Sequence, residues 1–92
     1  MDHITIVNLE LQFPHMIGTL ENGEKRRVDV KDVVERFKSN QYAYPHMQQL
    51  LNENFFNKGK LRGCWCVCWD DMTDLDTFIF ENAEVVKEKE LD

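Results

Sequence analysis

The sequence predicts an α+β domain: a small, mainly antiparallel sheet of about four or five strands with two or three short helices. Three observations lead there. The chain opens on strand-like alternation, Asn22-Gly23 is a hairpin signal, and an apolar stripe of helical period follows between Val30 and Phe37.

Ile4-Thr5-Ile6-Val7-Asn8-Leu9-Glu10-Leu11 begins apolar and then alternates, as a strand with one buried face does. Phe13-Pro14-His15 interrupts it, and Met16-Ile17-Gly18-Thr19-Leu20 resumes a strand. Asn22-Gly23 suits a type I′ turn, whose two central residues both need positive φ. Glu24 to Asp29 then returns as a polar strand, and Lys25-Arg26-Arg27, split over its two faces, reads as a solvated edge or as partners of acids opposite. Asp29 is placed to cap a helix whose Val30, Val33, Val34 and Phe37 share one stripe. Pro45 suits the first turn of a second helix that buries Met47, Leu50 and Leu51. Asp70-Asp71-Met72-Thr73 reads as a turn into a third helix, capped by Thr73 or Asp74, with Leu75, Phe78 and Ile79 facing the core. Residues 1–86 form one domain in this reading, and 87–92 a charged, frayed tail.

Cys64-Trp65-Cys66-Val67-Cys68-Trp69 holds every cysteine and tryptophan of the chain. As a strand it places the three cysteines on one face and Trp65, Val67 and Trp69 on the other. Neighbouring same-face thiols then start from Cα atoms roughly 6.7 Å apart with parallel side chains. That geometry is poor for a disulfide and for the tetrahedral convergence zinc requires. The favoured reading makes the thiols apolar packing and Trp69 the last core residue before an acidic turn. A thiol- or metal-dependent site at Cys64, Cys66 and Cys68, completed by one of His3, His15 or His46, is the alternative.

The net charge of −6 is uneven. Residues 1–69 carry nine basic and eight acidic side chains, whereas 70–92 carry nine acids and two lysines. Such a field repels phosphate backbones and steers basic partners. Asp70, Asp71, Asp74, Asp76, Glu81 and Glu84 are the candidate partner-binding residues. The four aspartates lack the alternating spacing of a calcium loop. Ser39, the one serine, has no paired histidine and aspartate in view, and no phosphate-cradling glycine motif is present. No catalytic, cofactor or metal residues are therefore assigned. With no readable secretion signal and no apolar run near the roughly 20 residues a membrane span needs, a soluble cytoplasmic protein with reduced thiols is expected.

Leu20-Glu21-Asn22-Gly23-Glu24, Val28-Asp29-Val30, Phe55-Phe56, and Cys68-Trp69 followed by Asp74-Leu75, Phe78 and Phe80, in that order, resemble the bacterial domain-of-unknown-function family 2442. The resemblance spans residues 3–82. Asp70 and Met72 depart from it, standing where the family tends to have Pro and Gly, and residues 38–47 look longer than usual. It implies a compact α+β domain without known catalytic residues, sometimes joined to a helix-turn-helix domain and sometimes encoded beside a small toxin-like protein. The functional expectation is a non-enzymatic, acidic protein-binding module, antitoxin-like or regulatory. Its partner would be basic, such as a neighbouring toxin-like gene product, with no direct nucleic-acid or membrane contact. A structural homo-oligomer, a homodimer in the simplest case, is the rival assembly.

Overall fold

A computed structural model describes residues 5–87. The architecture is α+β, with two antiparallel sheets, three short helices and two 3-10 turns among the described residues. Strands β1 (Ile6–Gln12), β2 (His15–Leu20) and β3 (Lys25–Asp29) form a meander that β7 (Glu84–Val86) joins in the order β1-β2-β3-β7. The second sheet is β4 (Lys60–Arg62), β5 (Cys66–Asp70) and β6 (Thr73–Asp76), in sequence order. Between them run α1 (Val30–Arg36), α2 (Tyr44–Gln48), a 3-10 turn over Gln49–Leu51, and α3 (Glu53–Phe56).

The opening run of β1 changes its alternation for a physical reason. Ile6 pairs with Leu20 but Asn8 with Thr19, so Val7 is an extra residue. This bulge flips the parity: Ile6 points inward before it, Leu9 and Leu11 after it, and Val7 is exposed. The turn after β2 is not type I′, because only Gly23 has positive φ (91°). Gly23 N–H donates to Leu20 O, Leu20 N–H donates to Glu24 O, and the Asn22 carboxamide accepts from Glu24 N–H. That is a three-residue loop with glycine in the left-handed position, the other common hairpin solution.

Lys25-Arg26-Arg27 lies inside the sheet rather than on an edge, since β3 pairs with both β2 and β7. Its charges meet acids: Lys25 with Glu10 at 3.6 Å, Arg26 with Glu24 at 2.7 Å, and Arg27 with Glu84 at 2.8 Å. Asp29 caps α1 by accepting from Lys31 N–H, and Val30, Val33 and Val34 are buried. Asn40 accepts from Tyr42 and Ala43 N–H ahead of α2, whose Pro45 stands in the first turn. Met47 and Leu50 are buried, but Leu51, expected inside, is 44% exposed because the chain tightens to a 3-10 turn there.

The third helix is not where the sequence placed it. Asn52 caps α3 by accepting from Phe55 N–H, and Phe56 enters the core. Thr73 to Asp76 is instead β6, alternating buried and exposed, followed by a 3-10 turn over Thr77–Phe80 capped by Asp76. Leu75 is buried as expected, but Phe80 is the buried aromatic, Ile79 is half-buried and Phe78 is exposed. Arg26 closes this segment by donating from Nη1 to the Phe80 and Glu81 carbonyls.

Trp69 anchors the junction between the second sheet and the helices. Its indole N–H donates to Phe56 O at 2.8 Å, and Phe56 packs edge-on against Phe13 with ring centroids 5.2 Å apart. A side chain at Gly59 would place its Cβ 2.6 Å from Trp69 Nε1, so residue 59 must lack one. No helix among the described residues is long and apolar enough to cross a membrane. Of the predicted tail, residues 88–92 lie outside the described residues, as does His3.

Candidate functional site

The second sheet has two faces of opposite chemistry. In the central row Leu61, Val67 and Leu75 are in register, and Val67 and Leu75 are buried in the core. The flanking rows face outward: Lys60, Cys68 and Asp74 in one, Arg62, Cys66 and Asp76 in the other. Lysine and arginine thus border the thiols on one side and aspartates on the other.

This corrects the sequence reading of the cysteines. Trp69 is a core residue as expected, 9% exposed, but the thiols are not core packing: Cys66 and Cys68 are half-buried and Cys64 is exposed. Nor do the two strand thiols run parallel. Their Sγ atoms converge to 3.1 Å, and Arg62 Nη1 lies 3.8 Å from Cys68 Sγ. The Cys66 thiol is pushed up from its ordinary 9.0 to about 11, chiefly by its hydrogen bond with Cys68 and then by desolvation. The negative charges of Cys68 and Asp74 act in the same direction, and Arg62 opposes them.

Cys64 and Trp65 are not part of the strand. Gly63, at φ 63°, turns the chain so that β5 begins only at Cys66, and period-two alternation does not extend back to Trp65. The Trp65 indole lies over Gly63, where an added Cβ would come within 3.2 Å of the ring. Thr77 ties this turn to the following segment: its N–H donates to Trp65 O at 2.9 Å and its hydroxyl to Cys64 O at 3.2 Å. The result is a groove of about 300 Å³ between the two segments, with Trp65 (69% exposed) and Phe78 (57% exposed) among its walls and Asp76 and Glu81 at its margin.

The six acids proposed from the sequence are dispersed. Asp76 and Glu81 line this groove. Asp74 stands beside the dithiol. Asp70 accepts from Met72 N–H in the β5–β6 turn, and together with Asp71 it borders a depression shared with Lys58, Lys60 and Arg62, where the basic side chains offset their field. Glu84 is paired with Arg27. Trp65, expected to share a strand face with Val67 and Trp69, and Phe78, expected to face the core, are the aromatic residues the site presents; Gly63 immediately before Cys64-Trp65 was the available signal for a turn. His15 lines a separate depression with Arg27 and Arg36, and no histidine joins the thiols among the described residues.

Comparison with models of known families, with curated proteins and with solved structures finds nothing that matches this chain.

Proposed function

We propose that this chain is a non-enzymatic protein-binding module, antitoxin-like or regulatory in kind and cytoplasmic, that grips a basic segment of another protein in the Trp65–Phe78 groove. The observation that carries this reading is the pair of exposed aromatic rings beside two carboxylates. Exposed tryptophan is costly in water, and this one is held in place by Gly63 beneath it and by the Thr77 hydrogen bonds beside it. A fixed aromatic anchor loses little side-chain freedom on binding, and such residues dominate interface energetics.

The chemistry of the walls specifies the occupant. An arginine of the partner stacks its guanidinium on the Trp65 indole while its N–H groups reach Asp76 or Glu81, combining cation–π attraction with charge pairing. Apolar side chains flanking that arginine cover Phe78. The net charge of −6 adds long-range steering of a basic partner and disfavours phosphate backbones. The resemblance to family 2442 agrees with a compact α+β binding domain, and a small basic neighbouring gene product is the partner it suggests.

Affinity capture from the bacterial host tests the reading. A captured partner should be basic, should dissociate as salt is raised, and should be lost with Trp65→Ala or Asp76→Lys while surviving Asp71→Lys. Capture indifferent to Trp65 and Phe78, or a groove filled by a second copy of the chain in light scattering, contradicts it.

A further inference from the structure

We propose that Cys66, Cys68 and Asp74 form a binding site for a thiophilic divalent cation of the zinc type, with two thiolates and one carboxylate as ligands and a fourth position left to water or an added group. This site is distinct from the aromatic groove and stands or falls independently of it. One ligand atom from each of the three residues lies within 4.8 Å of the others.

The strand objection to a Cys-x-Cys chelate is that the side chains diverge, and here they do not: the sulfurs are 3.1 Å apart. Zinc–sulfur bonds of roughly 2.3 Å at a tetrahedral angle hold two sulfurs roughly 3.8 Å apart, so the pair must open by about 0.7 Å. Small χ1 rotations supply that, because both side chains are half-exposed rather than wedged in the core. Asp74 is directly opposite Cys68 in the β5–β6 ladder, which brings its carboxylate over the pair. The neighbouring Asp76 caps Phe78 N–H through one carboxylate oxygen and borders the aromatic groove, whereas the Asp74 carboxylate makes no hydrogen bond or ion pair among the described residues.

Ligand type and charge select the ion. Two sulfurs exclude the oxygen-seeking calcium and magnesium, and the carboxylate favours a borderline dication over monovalent copper. Two thiolates and a carboxylate around a dication leave one net negative charge, and Arg62, 3.8 Å from Cys68 Sγ, stands ready to balance it. Lys60 faces Cys68 from β4. Cys64 is outside the set: its carbonyl is held by Thr77 and it lines the aromatic groove.

The test is titration of the fully reduced, anaerobic protein with cobalt(II), followed by displacement with zinc(II). One equivalent should bind with a sulfur-to-cobalt charge-transfer band and the intense visible bands of a tetrahedral ion. Affinity should fall about tenfold or more in Cys66→Ser, in Cys68→Ser and in Asp74→Asn, and stay unchanged in Cys64→Ser. Asp74 is exposed and neither cysteine is fully buried, so circular dichroism should report intact folds; were a cysteine variant to misfold, Asp74→Asn and the wild-type spectrum still decide. Absence of stoichiometric uptake, an octahedral spectrum without the sulfur band, or binding indifferent to Cys66, Cys68 or Asp74 overturns the site.

Discussion

Gly59→Ala introduces the smallest possible side chain at a point already filled by the Trp69 ring. The new Cβ would lie 2.6 Å from Nε1, 2.7 Å from Cε2 and 3.0 Å from Cζ2 of Trp69, all on one rigid ring. That ring cannot retreat freely, because it is buried and its N–H is committed to Phe56 O. Overpacking costs about 1–3 kcal/mol. If the ring yields instead, the indole N–H and the Phe56 carbonyl separate in a dry environment, at about 1–3 kcal/mol more. The expected loss is therefore roughly 2–6 kcal/mol, a large share of a small domain's stability. In urea the midpoint should fall by at least roughly 1 M with an unchanged slope. Trp69→Phe alone should cost about 1–3 kcal/mol through the orphaned Phe56 carbonyl. Because the smaller ring vacates the clash, the double variant should lose less than the sum of the singles by about 1 kcal/mol or more. A Gly59→Ala protein within about 0.5 kcal/mol of wild type, or strict additivity in the cycle, would refute the packing argument.

Thr73 is fully buried and its hydroxyl has no partner among the described residues, so Thr73→Val should stabilise by about 1 kcal/mol and raise the melting midpoint by about 4–8 °C; a fall would show that the hydroxyl is bonded. Arg26→Met removes the donor that holds the Phe80 and Glu81 carbonyls, and hydrogen exchange over residues 77–81 should accelerate relative to β1 and β2, with unchanged rates counting against that role. Thiolate is the species that iodoacetamide attacks, so Cys66, with its thiol pushed up to about 11, should be alkylated slowly at pH 9. Removing the chief cause with Cys68→Ala should speed Cys66 alkylation at that pH, as read by peptide mass spectrometry; no acceleration would deny the coupling.

Local signals carried most of the first sheet. Asp29 as a cap, the valine stripe of α1 and the Asn22-Gly23 hairpin are decided by residues close in sequence, and each stands where those residues put it. The turn type was missed because Asn22 keeps negative φ and leaves the left-handed position to Gly23 alone. The second sheet was harder. Thr73-Asp74-Leu75-Asp76 does alternate, but the leading threonine and aspartate also look like a helix cap, and only pairing with β5 settles it as a strand. The same limit hid the candidate site. Whether Trp65 faces in or out depends on where β5 begins, and that is set by Gly63 and by Thr77, twelve residues beyond Trp65. The closeness of Cys66 and Cys68 is a matter of side-chain rotamers, which spacing does not encode.

The two tryptophans offer the most direct test of the binding claim, since their indole N–H groups give two separate resonances in nuclear magnetic resonance spectra. Trp69 Nε1 is buried against Phe56 O, while Trp65 stands exposed over Gly63. Titration with a synthetic peptide alternating arginine and phenylalanine should shift the Trp65 indole resonance and the Phe78 and Glu81 amides saturably, more weakly as salt is raised, and leave the Trp69 indole in place. A Trp65 resonance that does not move, or shifts centred on Asp70 and Asp71 instead, would contradict the assignment of the groove as the partner-binding site.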